Sequence, residues 1–430
     1  MVSKDKTTIT FHSGILTIGG TVIEVAYKDS HIFFDFGTEF LPKLELTDES
    51  VQTLVNHRVI PHLKNVYDAR IPYKYEGDED KDYANTAVFI SHAHLDHTRM
   101  LNYLDPNIPL YTLKETKMIV NSLNRNGVFL LPSPFEDESF TRDMIGLDAG
   151  DVIKVGEIEV EIVRVDHDAY GAAALIIKTP GHHITYTGDL RLHGHNAEDT
   201  IEFCKKAKHT DILMMEGVSI SFGDRPAEVE AFKPETEEDV IRQIAFLEKE
   251  NPHRQITFNG YPANVRRFEK IVEGTSRTVV LEATMAALLK EVFQKEAHYY
   301  YREGAPRLEE LDPALEIPYE TLLKDTSEYL WQVVDHFDRL QEGSLYIHSD
   351  AQPLGDFDPN YQPFLDLLAE KNIEFVRLAC SGHAKPEDLD RIIAMIEPKC
   401  LIPIHTLKPE LLENPYGKRI LPYRGEKIVL

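Results

Sequence analysis

The sequence predicts an α/β protein with a second α/β domain inserted into the first. Three observations carry that expectation. Short apolar runs of strand length alternate with segments of helical spacing along the chain. Asp, Glu or His residues follow directly, or within a few positions, on seven of these runs. From about residue 218 the pattern becomes a regular alternation of helix and strand, and it holds until the first pattern resumes near the end.

In chain order, "TVIEVAYKDSHIFFDFG" reads as two strands of a hairpin ending at Asp35. "DESVQTLVNHRVIPHLKNV" has helical spacing, "TAVFISH" is a strand, and "LKETKMIVNSLNRNG" is a helix. "IEVEIVRVDHD" alternates with period two and ends at His167, and "AAALIIKT" with "HHITYTGD" forms a hairpin ending at Asp189. "DILMMEG" ends at Glu216. "AEVEAFKPETEEDVIRQIAFLEKE" has an acidic first turn and an apolar stripe, hence a helix. "RQITFNG", "PANVRRFEKIVEG", "RTVVLEA" and "TMAALLKEVFQKEA" then alternate strand and helix, and a charged stretch follows at 302–327. "GSLYIHSD" and "EFVRLAC" are strands, "KPEDLDRIIAMIEP" is a helix with Pro386 in its first turn, and "KCLIPIHT" is the closing strand. The expected domains are 1–217, 218–378 for the insertion, and 379–430 for the return.

Composition narrows the function. A chain of 430 residues with 42% apolar side chains suits a two-domain globular protein. No apolar run nears the ~18 residues that cross a bilayer, and "MVSKDKTTIT" lacks the apolar core of a signal peptide, so a cytoplasmic protein with no membrane partner is expected. Cys204, Cys380 and Cys400 form no CxxC pair, which leaves nitrogen and oxygen as the metal ligands. The net charge of −26 opposes nonspecific binding to nucleic acid. A polyanionic substrate would therefore need local positive charge, or a metal.

The densest chemistry lies in "FISHAHLDHTRM", where His92, His94, Asp96 and His97 occupy four of six consecutive positions. Neutral imidazoles and carboxylates suit zinc, and also manganese or iron. A loop leaving a strand can aim His92 and His94 at one ion, then turn Asp96 and His97 towards a second, with Asp189 bridging. Two such ions activate water at neutral pH and clamp a phosphoryl group. Other histidines read more plainly. His12, His57 and His62 are surface or core residues, His182 and His183 open a strand, and His193 and His195 lie on a loop near the site. "LTIGGT" at 16–21 reads as a hairpin turn rather than a phosphate cradle, since no GK[ST] follows.

These residues resemble a known family. "SHAHLDH" is similar to the HxHxDH signature of the metallo-β-lactamase superfamily, and "FFDFG", "VDHDAYGAAALII" and "YTGDLR" resemble its other motifs in order. "MMEG", "CSGHAKPEDL" and "LIPIHT" resemble motifs A, B and C of the β-CASP nucleases, with ribonuclease J among them. The resemblance implies a metallo-β-lactamase αββα sandwich with an inserted α/β β-CASP domain. It implies two Zn2+, with Mn2+ as the alternative. His92, His94 and His167 would hold one ion, and Asp96, His97 and His405 the other, with Asp189 bridging and Asp35 orienting the loop. His383 would meet the scissile phosphate or protonate the leaving oxygen, oriented by Glu216, and Ser381 and Gly382 would hold a phosphate oxygen. "YIHSDAQPLGDFDPNYQPF" stands where ribonuclease J carries a "TGSQGEP"-like stretch, and Thr406–Leu407 where it carries Gly-Glu, so the chain resembles a divergent branch.

The implied activity is hydrolysis of single-stranded RNA by metal-activated water, as a 5′-exonuclease, an endonuclease or both. The alternatives are single-stranded DNA, a small ester or phosphodiester, and a noncatalytic scaffold. Arg266, Arg267, Arg191, Arg225 and Arg254 are candidate contacts to a nucleic-acid backbone, Arg266 first among them. A homodimer is the default assembly.

Overall fold

The computed structural model describes residues 6–39, 41, 44–74, 83–222, 233–356 and 358–430. The chain divides into two compact units. One comprises Met1–Leu192, Asn196–Ala227 and Gly382–Leu430, and the other His193–His195 and Glu228–Ser381.

In the first unit, β1 (Thr7–Ser13), β2 (Val22–Tyr27), β3 (Ser30–Phe34), β4 (Asn85–Phe89), β5 (Leu110–Leu113) and β6 (Ile145–Leu147) share one sheet. A second sheet begins with β7 (Val152–Val155), β8 (Ile158–Arg164), β9 (Ala173–Thr179), β10 (His182–Tyr186) and β11 (Ile212–Glu216). The second unit holds a separate sheet of β12 (Ile256–Gly260), β13 (Thr278–Glu282), β14 (His298–Tyr300), β15 (Tyr329–Gln332), β16 (Leu345–Ser349) and β17 (Glu374–Arg377). The chain then returns to the first unit. There β18 (Cys400–Ile404) and β19 (Lys418–Arg419) extend the second sheet, and β20 (Lys427–Val429) closes the first beside β1.

The two sheets of the first unit face each other across one core. Phe11, Val25, Phe34 and Phe89 pack there against Val160, Leu175, Ile184, Met214 and Ile402. On the opposite face of the second sheet, Ala174, Ile176, Leu213 and Met215 bury the apolar stripes of helices Ala197–Lys206 and Pro386–Ile396, through Phe203, Leu389, Ile392 and Ile393. Strands covered on both faces read as unbroken apolar runs, which explains "AAALIIKT" and "DILMMEG". Helix Lys114–Leu123 packs on β5 and β6. The unit is an αββα sandwich.

Strand direction positions the chemistry. β3 and β4 pair in parallel, so Asp35 and His92 leave the first sheet at the same edge. β8 and β10 each pair antiparallel with β9 and so run the same way, while β10, β11 and β18 pair in parallel. His167, Asp189, Glu216 and His405 therefore all emerge at one edge of the second sheet.

In the second unit the sheet is wholly parallel, in the order β14-β13-β15-β12-β16-β17. Its core gathers Val280, Tyr300, Trp331, Tyr346 and Leu368. Helix Glu237–Glu250 starts at Thr236, whose hydroxyl accepts from Asp239 N while the Asp239 carboxylate accepts from Thr236 N. The helix expected over the segment around 48–66 is shorter, at Val51–Asn56. Arg58 takes a left-handed φ of 59° just beyond it and Pro61 follows, so the helical ladder cannot continue. No helix among the described residues is long and apolar enough to cross a membrane.

Candidate metal centre

The centre is built on a turn and the loop beside it. Asp35 follows β3 in a left-handed conformation, φ 55°, and is fully buried. Its carboxylate accepts from Ser91 N at 2.7 Å, Ser91 Oγ at 2.9 Å, Tyr186 OH and His97 Nδ1 at 2.8 Å. Phe36 N donates to His97 O, so the 35–37 turn and the 94–97 loop are laced together. Gly37 is required at this crossing, because a Cβ there would lie 1.8 Å from the carbonyl carbon and oxygen of Asp96. The 16–21 segment is a turn, as expected, and Gly20 N donates to Asp96 O.

Asp35 also orients a ring: when His97 is neutral with its proton on Nδ1, facing Asp35, it presents the lone pair of Nε2 inward. His167 is arranged likewise, its Nδ1 donating to Gly382 O. His92 Nδ1 lies 2.9 Å from Ser91 Oγ, and His405 Nδ1 lies 3.4 Å from Thr21 Oγ1.

The inward atoms fall into groups that could hold a metal: His92, His94 and His167; and Asp96, His97, Asp189 and His405. A third, overlapping group is His167, Asp189 and His383. In the first, His94 Nδ1 is 3.1 Å from His92 Nε2 and 3.3 Å from His167 Nε2. In the second, His97 Nε2 is 3.4 Å from Asp96 Oδ2 and 3.2 Å from Asp189 Oδ2, and His405 Nε2 is 3.5 and 3.7 Å from the same atoms. Asp189 Oδ2 is also 3.6 Å from His92 Nε2, which links the groups. Zinc bonds of 2.0–2.2 Å set neighbouring ligand atoms of a tetrahedron about 3.3–3.6 Å apart. Both oxygens of Asp189 and the Nε2 atoms of His97 and His405 are buried and make no hydrogen bond. A buried ionised group left so costs several kcal/mol, and a divalent cation among these atoms would offset that cost. The residues fit a metal.

The electrostatics agree in sign. Burial pushes His92 and His405 below the ordinary histidine value and takes His167 to about 3, so all three are neutral. Burial opposes ionisation of Asp96 and Asp189, but the surrounding imidazoles outweigh it and hold both carboxyls below their usual range. His97 moves the other way. Burial works against its proton, yet Asp96, Asp189 and Asp35 raise it well above the ordinary value. Three carboxylates around one ring demand positive charge at this point.

Beside this cluster, Glu216 is fully buried and accepts from Val218 N at 2.9 Å, and its Oε1 lies 3.3 Å from His383 Nδ1. Burial opposes a proton on His383, but Glu216, Asp189 and Asp168 outweigh it and raise its pKa to about 9. The Gly382 carbonyl is engaged by His167, and the Ser381 carbonyl accepts from His193 Nε2 at 2.9 Å.

The candidate cations are placed differently. Arg191 is only 2% exposed and donates from Nε to Asp166 Oδ2, so it braces the chain beside His167 and is not a surface cation. Arg266, in the second unit, pairs with Glu269 and lies 4.3 Å over the Phe293 ring. Arg267 is buried in a double contact with Glu237, each 2.8 Å, and Arg254 holds the Gly343 and Ser344 carbonyls. Arg225 lies outside the described residues.

Three groups at the centre escaped the sequence reading: Ser91, Tyr186 and Asp168. Ser91 and Tyr186 are ordinary strand-end residues whose roles need coordinates to see. Asp168 had a signal, since "VDHD" places a second acid beside His167.

Comparison with known proteins now adds kinship. Residues 76–222 match the family described as a beta-lactamase superfamily domain. A crystal structure of a protein of unknown function from Enterococcus faecalis V583 is 72% identical, with a TM-score of 0.97 over 99% of this chain and 100% of that one. Curated relatives named ribonuclease J are more distant. That of Mycoplasma genitalium is 21% identical over 94% of this chain and 68% of its own. That of Helicobacter pylori strain B128 is 23% identical over 94% and 56%, so this chain spans little more than half its length. That of Pyrococcus abyssi is 20% identical over 74% of each. With its αββα sandwich, its inserted α/β unit and the order of its motifs, the chain carries a metallo-β-lactamase superfamily domain and is ribonuclease J-like, of the β-CASP kind.

Proposed function

We propose that this protein is a metal-dependent ribonuclease that hydrolyses phosphodiester bonds of single-stranded RNA. The observation that carries this reading is the pair of His/Asp groups linked by Asp189, beside a histidine seated on a buried glutamate. The relatives named ribonuclease J support RNA as the substrate class.

His92, His94 and His167 would hold one divalent ion, and Asp96, His97 and His405 a second, with Asp189 serving both. Zinc is the first expectation and manganese the alternative. When bound, such ions lend Lewis acidity and a nucleophile at neutral pH. The remaining work falls to side chains. Asp35 keeps the His97 ring turned inward. Glu216 accepts from His383 Nδ1, which directs the opposite nitrogen to the phosphodiester. From there His383 gives a proton or hydrogen bond to the leaving 3′-oxygen, a poor leaving group that gains from acid help. Ser381 and the backbone near Gly382 would hold a phosphate oxygen.

The test uses zinc-reconstituted protein and a 5′-labelled, 5′-monophosphorylated single-stranded RNA, with His94→Ala as the blank. Labelled mononucleotide from the first time point identifies a 5′-exonuclease, and discrete internal fragments an endonuclease. His383→Ala is expected to slow cleavage by about 10²–10⁴-fold with metal content unchanged. No cleavage by protein that holds two metals sinks the RNA reading and moves the search to single-stranded DNA, then to small phosphodiesters.

A further inference from the structure

Four of the clustered histidines have an outward partner that holds one ring nitrogen: Asp35 for His97, Gly382 O for His167, Ser91 Oγ for His92 and Thr21 Oγ1 for His405. For His94 the corresponding atom belongs to Asp168. His94 Nδ1 points inward, to His92 and His167. Its Nε2 lies 3.4 Å from Asp168 Oδ1, an atom that is also 3.1 Å from His167 Nε2. An imidazole offers a lone pair on Nδ1 only when its proton sits on Nε2, and a carboxylate beside Nε2 stabilises that tautomer.

The position of Asp168 is itself constrained. Its Oδ1 accepts from Ala169 N at 2.9 Å, and its side chain is 14% exposed. Gly382 passes directly over it, and a Cβ at 382 would lie 2.4 Å from Asp168 Oδ1. The same Gly382 offers its carbonyl to His167 Nδ1. One backbone segment therefore seats both the carboxylate and a neighbouring ring. The other acid of "VDHD" serves elsewhere, since Asp166 accepts from Arg191 Nε and Asn196 N.

We propose that Asp168 is a positioning residue that fixes the ring and tautomer of His94 and so sets the metal affinity of the His92/His94/His167 group. It acts through His94 and is not itself a ligand. The inference rests on the metal reading above. Such outer partners of ligating histidines are worth about 10–100-fold in affinity.

The test is a Zn2+ titration of the full chain against a competing chelator, with Asp168→Ala and Asp168→Asn compared with the unaltered protein and thermal melts of the metal-free forms as folding controls. The unaltered chain is expected to take up two equivalents. Asp168→Ala should weaken one of the two by about 10–100-fold. Asp168→Asn, near in shape and still an acceptor for Nε2–H, should recover most of that loss and fold normally. Unchanged affinity in Asp168→Ala overturns the proposal while leaving the metal reading intact. Loss of a whole equivalent in both variants also overturns it, because it makes Asp168 a ligand. No zinc bound by the unaltered chain removes the metal reading, and this inference with it.

Discussion

Asp35 sits where its carboxylate must satisfy four donors at once, namely the Ser91 amide, the Ser91 hydroxyl, the Tyr186 hydroxyl and His97 Nδ1. An amide in its place has one acceptor oxygen and brings two donors of its own. Asp35→Asn therefore sets N–H against N–H at His97, or leaves Ser91 unpaired. The expected outcome is a loss of about 3 kcal/mol in stability, read from urea midpoints at constant slope. Zinc affinity at the Asp96/His97/His405 group should fall by about 10–100-fold. Affinity equal to the unaltered chain would show that Asp35 does not set the His97 ring. Much of this was legible at the residue scale, because Asp, Glu and His at strand ends are rare without a reason. Which nitrogen each ring turns inward was not, since that depends on partners such as Gly382 O and Thr21 Oγ1 that are remote in sequence.

At the scale of elements, the crossing of the 35–37 turn and the 94–97 loop is the tightest in the centre. Gly37→Ala must displace the Asp96 backbone, since no side chain is there to swing aside. It is expected to cost about 2–4 kcal/mol and to lower zinc stoichiometry. Thr236→Ala removes a helix cap in the other unit and should cost about 1 kcal/mol with zinc stoichiometry intact. Equal metal content in both variants would mean that the crossing does not hold the loop. Elements with strong periodicity were readable: the β2–β3 hairpin, β4, β8 to β11 and β18 stand where their apolar runs predict. The strands that were not named include short ones. β6, β14 and β20 have three residues each and β19 has two, too few for period two to register against turn-like neighbours. They exist because an already formed sheet offers an unpaired edge or a parallel partner, which is a tertiary fact.

For the whole molecule, a metal held by the cluster would couple stability to metal binding in the first unit. Removing metal with EDTA is expected to lower the melting transition of that unit and leave that of the second unit in place. Adding zinc at about 100 times its dissociation constant should restore about 2.7 kcal/mol for a single site. A calorimetric trace indifferent to EDTA and zinc would speak against the centre. The net charge of −26 acts at the same scale. It repels a polyanion at a distance, so attraction must come from the local site.

Side-chain type and periodicity are local properties, so the chemical inventory, its order along the chain, the acidic balance and the strands with long apolar runs could be read from the residues alone. The convergence of Asp35, the 92–97 loop, His167, Asp189 and His405 is a product of folding, since it follows from parallel pairing of strands far apart in sequence. Folding likewise buried Arg191 against Asp166 and turned Asp168 towards His94. A charge's role depends on what faces it, and no spacing rule records that.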